Sequence, residues 1–224
     1  MQTLTMLGVA VGAALSRDIS FSGGPIRDPP PRPFPAEAEM LGNVSPRRRR
    51  EFAWGRHHAR EALRHLGLTS LPILRRADRA PIWPSGIVGS ISHSSCNCGA
   101  IVGRSSNLLA MGLDIEDTEP LGVDLLPIIC TPAEMDRREW AGSRFGSKLI
   151  FATKEAVYKA YAPATGEFLE FHDVMVRTND ENGVFEAEIV NLEKPMSFGS
   201  RTINGIYLPF LGGVLALALR FRGA

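Results

Sequence analysis

The sequence predicts an α+β protein of two lobes, residues 1–110 and residues 111–224. Each half carries one long helix pattern and several short apolar runs separated by turn residues, which is the signature of a helix packed on a sheet. The chain has 224 residues, 44% of them hydrophobic and 22% charged, so each lobe has material for its own core. No P-loop or G-x-G-x-x-G is present, so a standard nucleotide-binding fold is not indicated.

Taken in order, Leu7 to Leu15 is apolar but lacks a preceding Lys or Arg and is too short to span a bilayer, so a first strand over Leu4 to Ala14 is expected instead of a leader. Ser22 to Pro35 holds Pro25, Pro29, Pro30, Pro31, Pro33 and Pro35 and reads as an extended surface loop. Ser45-Pro46 is an N-cap followed by proline at N1, and Gly67 a C′ stop. Between them Phe52, Ala59, Ala62, Leu63 and Leu66 form the buried stripe of a helix.

Gly86 to Ser92, Cys98 to Gly103 and Leu108 to Glu116 are expected as three strands of one sheet. Pro120 to Pro132 reads as an irregular connection and Ala133 to Trp140 as a short helix. A second long helix is expected over Ser147 to Tyr161, stopped by Pro163 and Gly166. Asp173 to Arg177, Val184 to Val190, Thr202 to Leu208 and Val214 to Phe221 complete the strands.

Formal net charge is +1, so no overall field draws the chain to nucleic acid or membrane, and a soluble cytoplasmic protein is expected. Three cysteines without a C-x-x-C pair read as free thiols in a reducing compartment. The positive charge is nevertheless local: Arg47 to Arg50 form a run, followed by Arg56, Arg60, Arg64, Arg75, Arg76 and Arg79. Arg49, Arg56 and Arg60 share a helix face, with Arg48 to one side. Arginines at a helix start oppose the macrodipole, which points to a bound anion as the alternative to a solvated basic face.

Three polar signals sit inside apolar flanks: Ser92-His93-Ser94, Asp114-Ile115-Glu116 and Lys154-Glu155 with Lys159. On a strand Asp114 and Glu116 point to one face about 7 Å apart, and two like charges there call for a cation. Hard oxygens suit Mg²⁺, and Glu155 would bring a third. Glu155 and Lys159 share a helix face, while Lys154 lies about 100° round. His93 at a strand end can donate to phosphate. Arginines, carboxylates for a metal and lysines beside them are equipment for a polyphosphate ligand and phosphoryl-type transfer. A metal-dependent phosphohydrolase or nuclease on the same carboxylates, and a nucleic-acid module on Arg47 to Arg50, are the competing readings; near-neutral charge and the lack of interleaved aromatics weigh against the second.

Gly89-Ser90-Ile91-Ser92-His93-Ser94, Gly112-Leu113-Asp114-Ile115-Glu116 and Phe151-Ala152-Thr153-Lys154-Glu155-Ala156-Val157-Tyr158-Lys159 together resemble, in this order, the three motifs of the 4′-phosphopantetheinyl transferases. The length resembles the monomeric two-lobed class that activates surfactin synthetase. Arg47 to Arg60, Pro72-Ile73-Leu74-Arg75 and Trp83-Pro84 resemble its enterobactin synthetase component D branch, in particular mycobacterial and actinobacterial members. The resemblance covers roughly residues 40 to 175.

It implies two similar α/β lobes related by pseudo-twofold symmetry. It also implies Mg²⁺-dependent transfer of the phosphopantetheine arm of coenzyme A to a serine of an acyl or peptidyl carrier protein, releasing adenosine 3′,5′-bisphosphate. By the same resemblance Arg48, Arg56, Arg75 and Arg76 would hold the adenosine side of coenzyme A, and Ser92 and His93 phosphate oxygens. Asp114 and Glu116 would bind the metal, with Glu155 a third ligand or the base. Lys154 would neutralise the pyrophosphate, Lys159 would support the same face, and Tyr158 and Leu169 would border the pantetheine arm.

Overall fold

A computed structural model describes residues 18–117, 119–195 and 199–222. The expected strand over Leu4 to Ala14 lies outside them. The described residues form a mixed helix-and-sheet protein with two separate sheets, and the chain divides into two compact units, residues 1–107 and 108–224.

In the first unit, strands β1 (Ile19–Pro25), β2 (Ile87–His93) and β3 (Asn97–Arg104) form an antiparallel sheet in the order β1-β3-β2. Helix α1 (Pro35–Leu41) and the long helix α2 (Pro46–His65) precede β2. Helix α2 starts as its sequence dictates: Ser45 Oγ accepts from the Arg48 N–H at 3.2 Å, and Pro46 fills N1. It ends where Gly67 adopts φ 78° and the Leu68 N–H returns to the Leu63 carbonyl at 3.1 Å. Ala59, Ala62, Leu63 and Leu66 bury their stripe against Ile87, Ala100 and Val102 of the sheet.

Two expectations are corrected here. Ser22 to Pro35 is not one loop: Ser22 to Pro25 belong to β1, and Pro35 opens α1. A Ser-Gly-Gly strand shows no apolar alternation, so only pairing with β3 reveals it. The run from Leu108 does not share the sheet of β2 and β3 either; it opens the second unit.

That unit is a five-stranded antiparallel sheet, β4 (Leu108–Asp117), β5 (Val174–Asn179), β6 (Val184–Ile189), β7 (Thr202–Phe210) and β8 (Gly213–Phe221), in the order β4-β8-β7-β6-β5. Between β4 and β5 come two short helices, α3 (Leu126–Ile129) and α4 (Pro132–Arg137), and the long helix α5 (Ser147–Thr165). The connection expected to be irregular over Pro120 to Pro132 therefore contains one helical turn. The helix expected over Ala133 to Trp140 ends earlier, where Arg138 turns left-handed at φ 47°. Helix α5 runs past Pro163 and stops at Gly166, φ 75°. Proline near the C-terminus costs at most one helical hydrogen bond, so tertiary packing carries the helix four residues further than its sequence boundary.

Helix α5 lies on the sheet through small residues. Ala152, Ala156 and Ala160 form an i,i+4 row, and Ala110, Ala216 and Ala218 belong to the same core cluster. Gly112 is the point of closest approach. A Cβ there would stand 1.9 Å from the Ala156 carbonyl oxygen and 2.5 Å from the Ala160 nitrogen. No other residue type fits between this helix and this strand.

Cys96, Cys98 and Cys130 are free thiols, the last two buried. No helix among the described residues is long and apolar enough to cross a membrane.

One buried group of the first unit titrates. His58 is 7% exposed; its Nδ1 meets Ser22 Oγ at 2.9 Å, while its Nε2 has no hydrogen-bond partner among the described residues. Burial, then the neighbouring charge of His57, pushes its pKa down to about 4, with Glu61 opposing. The native state thus binds fewer protons than the unfolded state between about pH 6.5 and 4, and stability falls as pH falls through that window. Denaturant unfolding at a series of pH values is expected to show His58→Gln losing less stability than wild type from pH 7 to 4, by about 3 kcal/mol. Equal slopes would remove His58 as a source of the acid sensitivity.

Candidate functional site

Two clusters of charge follow from these helices, one in each unit. In the first, the N-terminal turns of α2 carry the arginine run past the end of β2. Ile91 packs toward α2, and strand alternation puts His93 on the same face. Arg48 Nη1 lies 2.8 Å from His93 Nε2 and 3.3 Å from a Glu51 carboxylate oxygen, and Arg47 Nε donates to Glu51 at 2.8 Å. Because a guanidinium only donates, His93 Nε2 accepts and the ring proton sits on Nδ1, 3.4 Å from the Ser94 carbonyl. Burial alone would raise the Glu51 carboxyl, but hydrogen bonds from Arg47 and Arg48 hold it below its ordinary value.

The other basic residues separate into distinct roles. Arg56 is 7% exposed, donates from Nε to the Ile73 carbonyl at 2.8 Å and stacks 4.4 Å over the Phe52 ring. Burial pushes its pKa down to about 10, so it remains a cation at neutral pH. Arg60 instead grips Glu37, which is fully buried, with both carboxylate oxygens at 2.8 Å. Glu37 also accepts from the Ile73 N–H at 2.9 Å, so this pair ties α1, α2 and the following loop together. The expected shared face of Arg49, Arg56 and Arg60 is therefore split: Arg49 is exposed and Arg60 is bound to Glu37. Arg75 is exposed and reaches the Met40 carbonyl at 3.4 Å, while Arg76 pairs with Asp78 at 3.1 Å. Ser92 is buried and, by strand alternation, on the face opposite His93.

The second cluster lies where α5 crosses β4. Asp114 and Glu116 point to the α5 face, one and two alternations beyond Gly112. Lys159 Nζ donates to Asp114 Oδ1 at 2.5 Å, and Lys148 Nζ to Glu116 Oε2 at 2.7 Å. Burial raises the Glu116 carboxyl, the Asp114 charge raises it further, and Lys148 opposes. Burial also raises Glu155, with Lys159 lowering it and Asp114 raising it, so Glu155 feels the field of the same cluster. Burial would lower the Lys159 ammonium, but Asp114, then Glu155 and Glu116, raise it on balance. Three carboxylates and two ammonium groups thus share one place. Lys148 had no motif to mark it; only the crossing geometry brings it in.

As they stand, no three His, Cys, Asp or Glu side chains among the described residues are arranged to hold a metal ion. Both Asp114 and Glu116 have an ammonium group on one carboxylate oxygen. The donor set itself fits Mg²⁺: three hard carboxylates, two of them with pKa raised by burial and by Asp114, gain from a cation among them.

Lys154 stands apart from this cluster, which differs from its expected contact with a pyrophosphate. It is 2% exposed and donates to Glu134 Oε2 at 2.7 Å and to the carbonyls of Ile129 and Phe171 at 2.8 Å each. Three N–H donors meet three protein acceptors. Glu134 completes the hub, accepting from the Thr131 N–H at 2.7 Å as a capping box and from the Val176 N–H at 2.6 Å. Beside it opens a groove of about 450 Å³, lined by Ile128, Glu155, Tyr158, Phe168, Leu169 and His172 among others. Tyr158 and Phe168 meet edge to face in its lining, ring centres 5.4 Å apart. Tyr158 and Leu169 are thus brought to one apolar groove next to Glu155.

The model of the 4′-phosphopantetheinyl transferase N-terminal domain matches residues 36–103, and that of the 4′-phosphopantetheinyl transferase superfamily matches residues 110–201. The chain belongs to the 4′-phosphopantetheinyl transferase superfamily and is a transferase. It is similar to 4′-phosphopantetheinyl transferase Svp of Streptomyces mobaraensis, 35% identical over 170 residues, 73% of this chain and 68% of that protein. It is similar to 4′-phosphopantetheinyl transferase PptT of Mycobacterium tuberculosis, 33% identical over 174 residues and 77% of each chain. Enterobactin synthase component D of Escherichia coli K12 is 34% identical over 125 residues, 54% of this chain and 58% of that protein.

The buried Lys154–Glu134 pair is expected to be structural. Lys154→Met leaves the Glu134 carboxylate buried without its cation and is expected to destabilise the second unit by about 3–5 kcal/mol, with coenzyme A affinity of the folded protein unchanged. Thermal unfolding beside calorimetric titration of coenzyme A checks this. A small loss of stability with a tenfold or greater loss of affinity would place Lys154 at the ligand instead.

Proposed function

We propose that this transferase moves the phosphopantetheine arm of coenzyme A, with Mg²⁺, to a serine of an acyl or peptidyl carrier protein and releases adenosine 3′,5′-bisphosphate. The observation that supports it best is the α5–β4 cluster, with Glu155 bordering both its carboxylates and the apolar groove. Asp114 and Glu116 would hold the metal, with Glu155 beside them as the base or, in the alternative, a third ligand; the metal supplies charge neutralisation at the pyrophosphate. Tyr158 and Leu169 bind the pantetheine arm, whose length and mixed polarity suit a narrow apolar groove. Arg48, Arg56, Arg75, Arg76, Ser92 and His93 are assigned to the adenosine-side phosphates and sugar, where guanidinium forks suit phosphate oxygens.

The serine oxygen attacks the phosphorus that carries pantetheine, and the bond to the bridging oxygen of the adenosine side breaks. Glu155 takes the serine proton. A carboxylate beside a divalent ion is a weak base, and holding the serine hydroxyl next to it supplies the advantage. Lys159, held on Asp114, is poised to meet negative charge on the departing phosphate. The enzyme acts as a cytoplasmic monomer. The name of the component D relative favours a siderophore-type carrier among the substrates tried first.

Intact-mass analysis of apo carrier proteins after incubation with the enzyme, coenzyme A and Mg²⁺ is expected to show a gain of one phosphopantetheine. Glu155→Gln is expected to slow that transfer by about 10²-fold or more in single turnover while coenzyme A affinity changes only a few-fold. Affinity falling in step with rate would make Glu155 a metal ligand first. No mass gain on several diverse carriers, with coenzyme A bound, would sink the transfer reading.

A further inference from the structure

Lys148 is in the wrong place for a helix. It occupies the first turn of α5, where the positive end of the macrodipole disfavours a cation. Its ammonium is nonetheless fixed, 2.7 Å from Glu116 Oε2 and 5.6 Å from the centre of the Phe151 ring. Both partners of the ion pair are 18% exposed on their side chains, so the pair is shielded but open to solvent. The other pair of the cluster is uneven, with Lys159 27% exposed on its side chain and Asp114 only 4%.

We infer that Lys148 is a resident cation of the carboxylate cluster that a divalent ion must displace from Glu116, and that it thereby sets the affinity for that ion. The inference rests on the metal reading above. Asp114, Glu116 and Glu155 carry three negative charges and Lys148 and Lys159 two positive ones, which leaves one negative charge among five groups. A divalent ion entering with both lysines in place would reverse the sign and stand beside an ammonium on the same carboxylate. Releasing Lys148 restores balance, since the three carboxylates against Lys159 and the ion leave no net charge. Lys148 yields before Lys159 because its carboxylate, Glu116, is 18% exposed where Asp114 is 4%, and because Lys159 also stands in the field of Glu155 and Glu116. The pairing also keeps Glu116 from standing unpaired when no ion is bound.

Mn²⁺ binding to the full chain, followed by the paramagnetic resonance of free Mn²⁺, tests this without catalysis. Lys148→Met is expected to bind Mn²⁺ about fivefold more tightly than wild type, the gain from removing a competing half-buried ion pair. Its ion-free melting temperature is expected to fall and its rise on adding Mn²⁺ to exceed that of wild type. Lys148→Arg keeps the charge and is expected to bind no more tightly than wild type. Lys194→Met, which removes a distant cation paired with Asp173, is expected to leave affinity unchanged. Affinity unchanged or weakened in Lys148→Met, with wild type binding normally, would overturn the inference alone. An equal gain in Lys194→Met would reduce it to net charge. No saturable binding in any variant would overturn the metal reading and this inference with it.

Discussion

The second unit depends on one contact: the backbone of α5 resting on the backbone of β4 at Gly112. Side chains ordinarily hold a helix away from the backbone of the sheet it packs on. Here a hydrogen faces the Ala156 carbonyl and the Ala160 nitrogen, with alanines on both surfaces around it. Close approach shortens the reach between the next residues on each element. Asp114 and Glu116 come within direct contact of Lys159 and Lys148, and Glu155 enters the same field, because the small-residue floor lets them. Packing and chemistry are therefore one feature of the unit.

That floor also settles which charges are structural and which are free to act. On the far side of α5, Lys154 is enclosed by Glu134 and two carbonyls, and Glu134 in turn caps α4 and accepts from β5. Every donor of that ammonium is met, so the pair fixes the helix against its neighbours. On the near side Glu116 and Glu155 remain half-buried beside the buried Asp114 and repel it, with raised pKa values at both. Adjacent residues in sequence, Lys154 and Glu155, thus divide between holding the helix and serving the site. The first unit divides its arginines likewise: Arg60 is tied to Glu37, while Arg48 stands at the protein surface beside His93.

Local signals made much of this legible. Ser45-Pro46 and Gly67 bound α2, and period-two alternation put Asp114 and Glu116 on one face, because caps and pleats are set by near neighbours. What stayed hidden depends on distant partners. The pairing of β1 with β3 joins residues some eighty apart, and the sheet to which β4 belongs is decided by β8 at the other end of the unit. Glu134 and Lys148 carry no motif, and the Arg60 partner is invisible within its basic run; their meaning lies in the ion pairs they complete. Gly112 was visible as a letter inside a strand, where a glycine often marks close backbone approach. Only the fold says that the approaching backbone is α5.

Native-state hydrogen exchange on Gly112→Ala, resolved to single amides, tests that contact directly. A methyl group at a 1.9 Å clearance must drive α5 off β4, so amides of 150–160 and of 113–116 are expected to lose protection together, by about 10²-fold or more for a packing loss near 3 kcal/mol. Protection unchanged in both segments would mean that α5 does not rest on Gly112, and the assembly of the carboxylate cluster would need another cause.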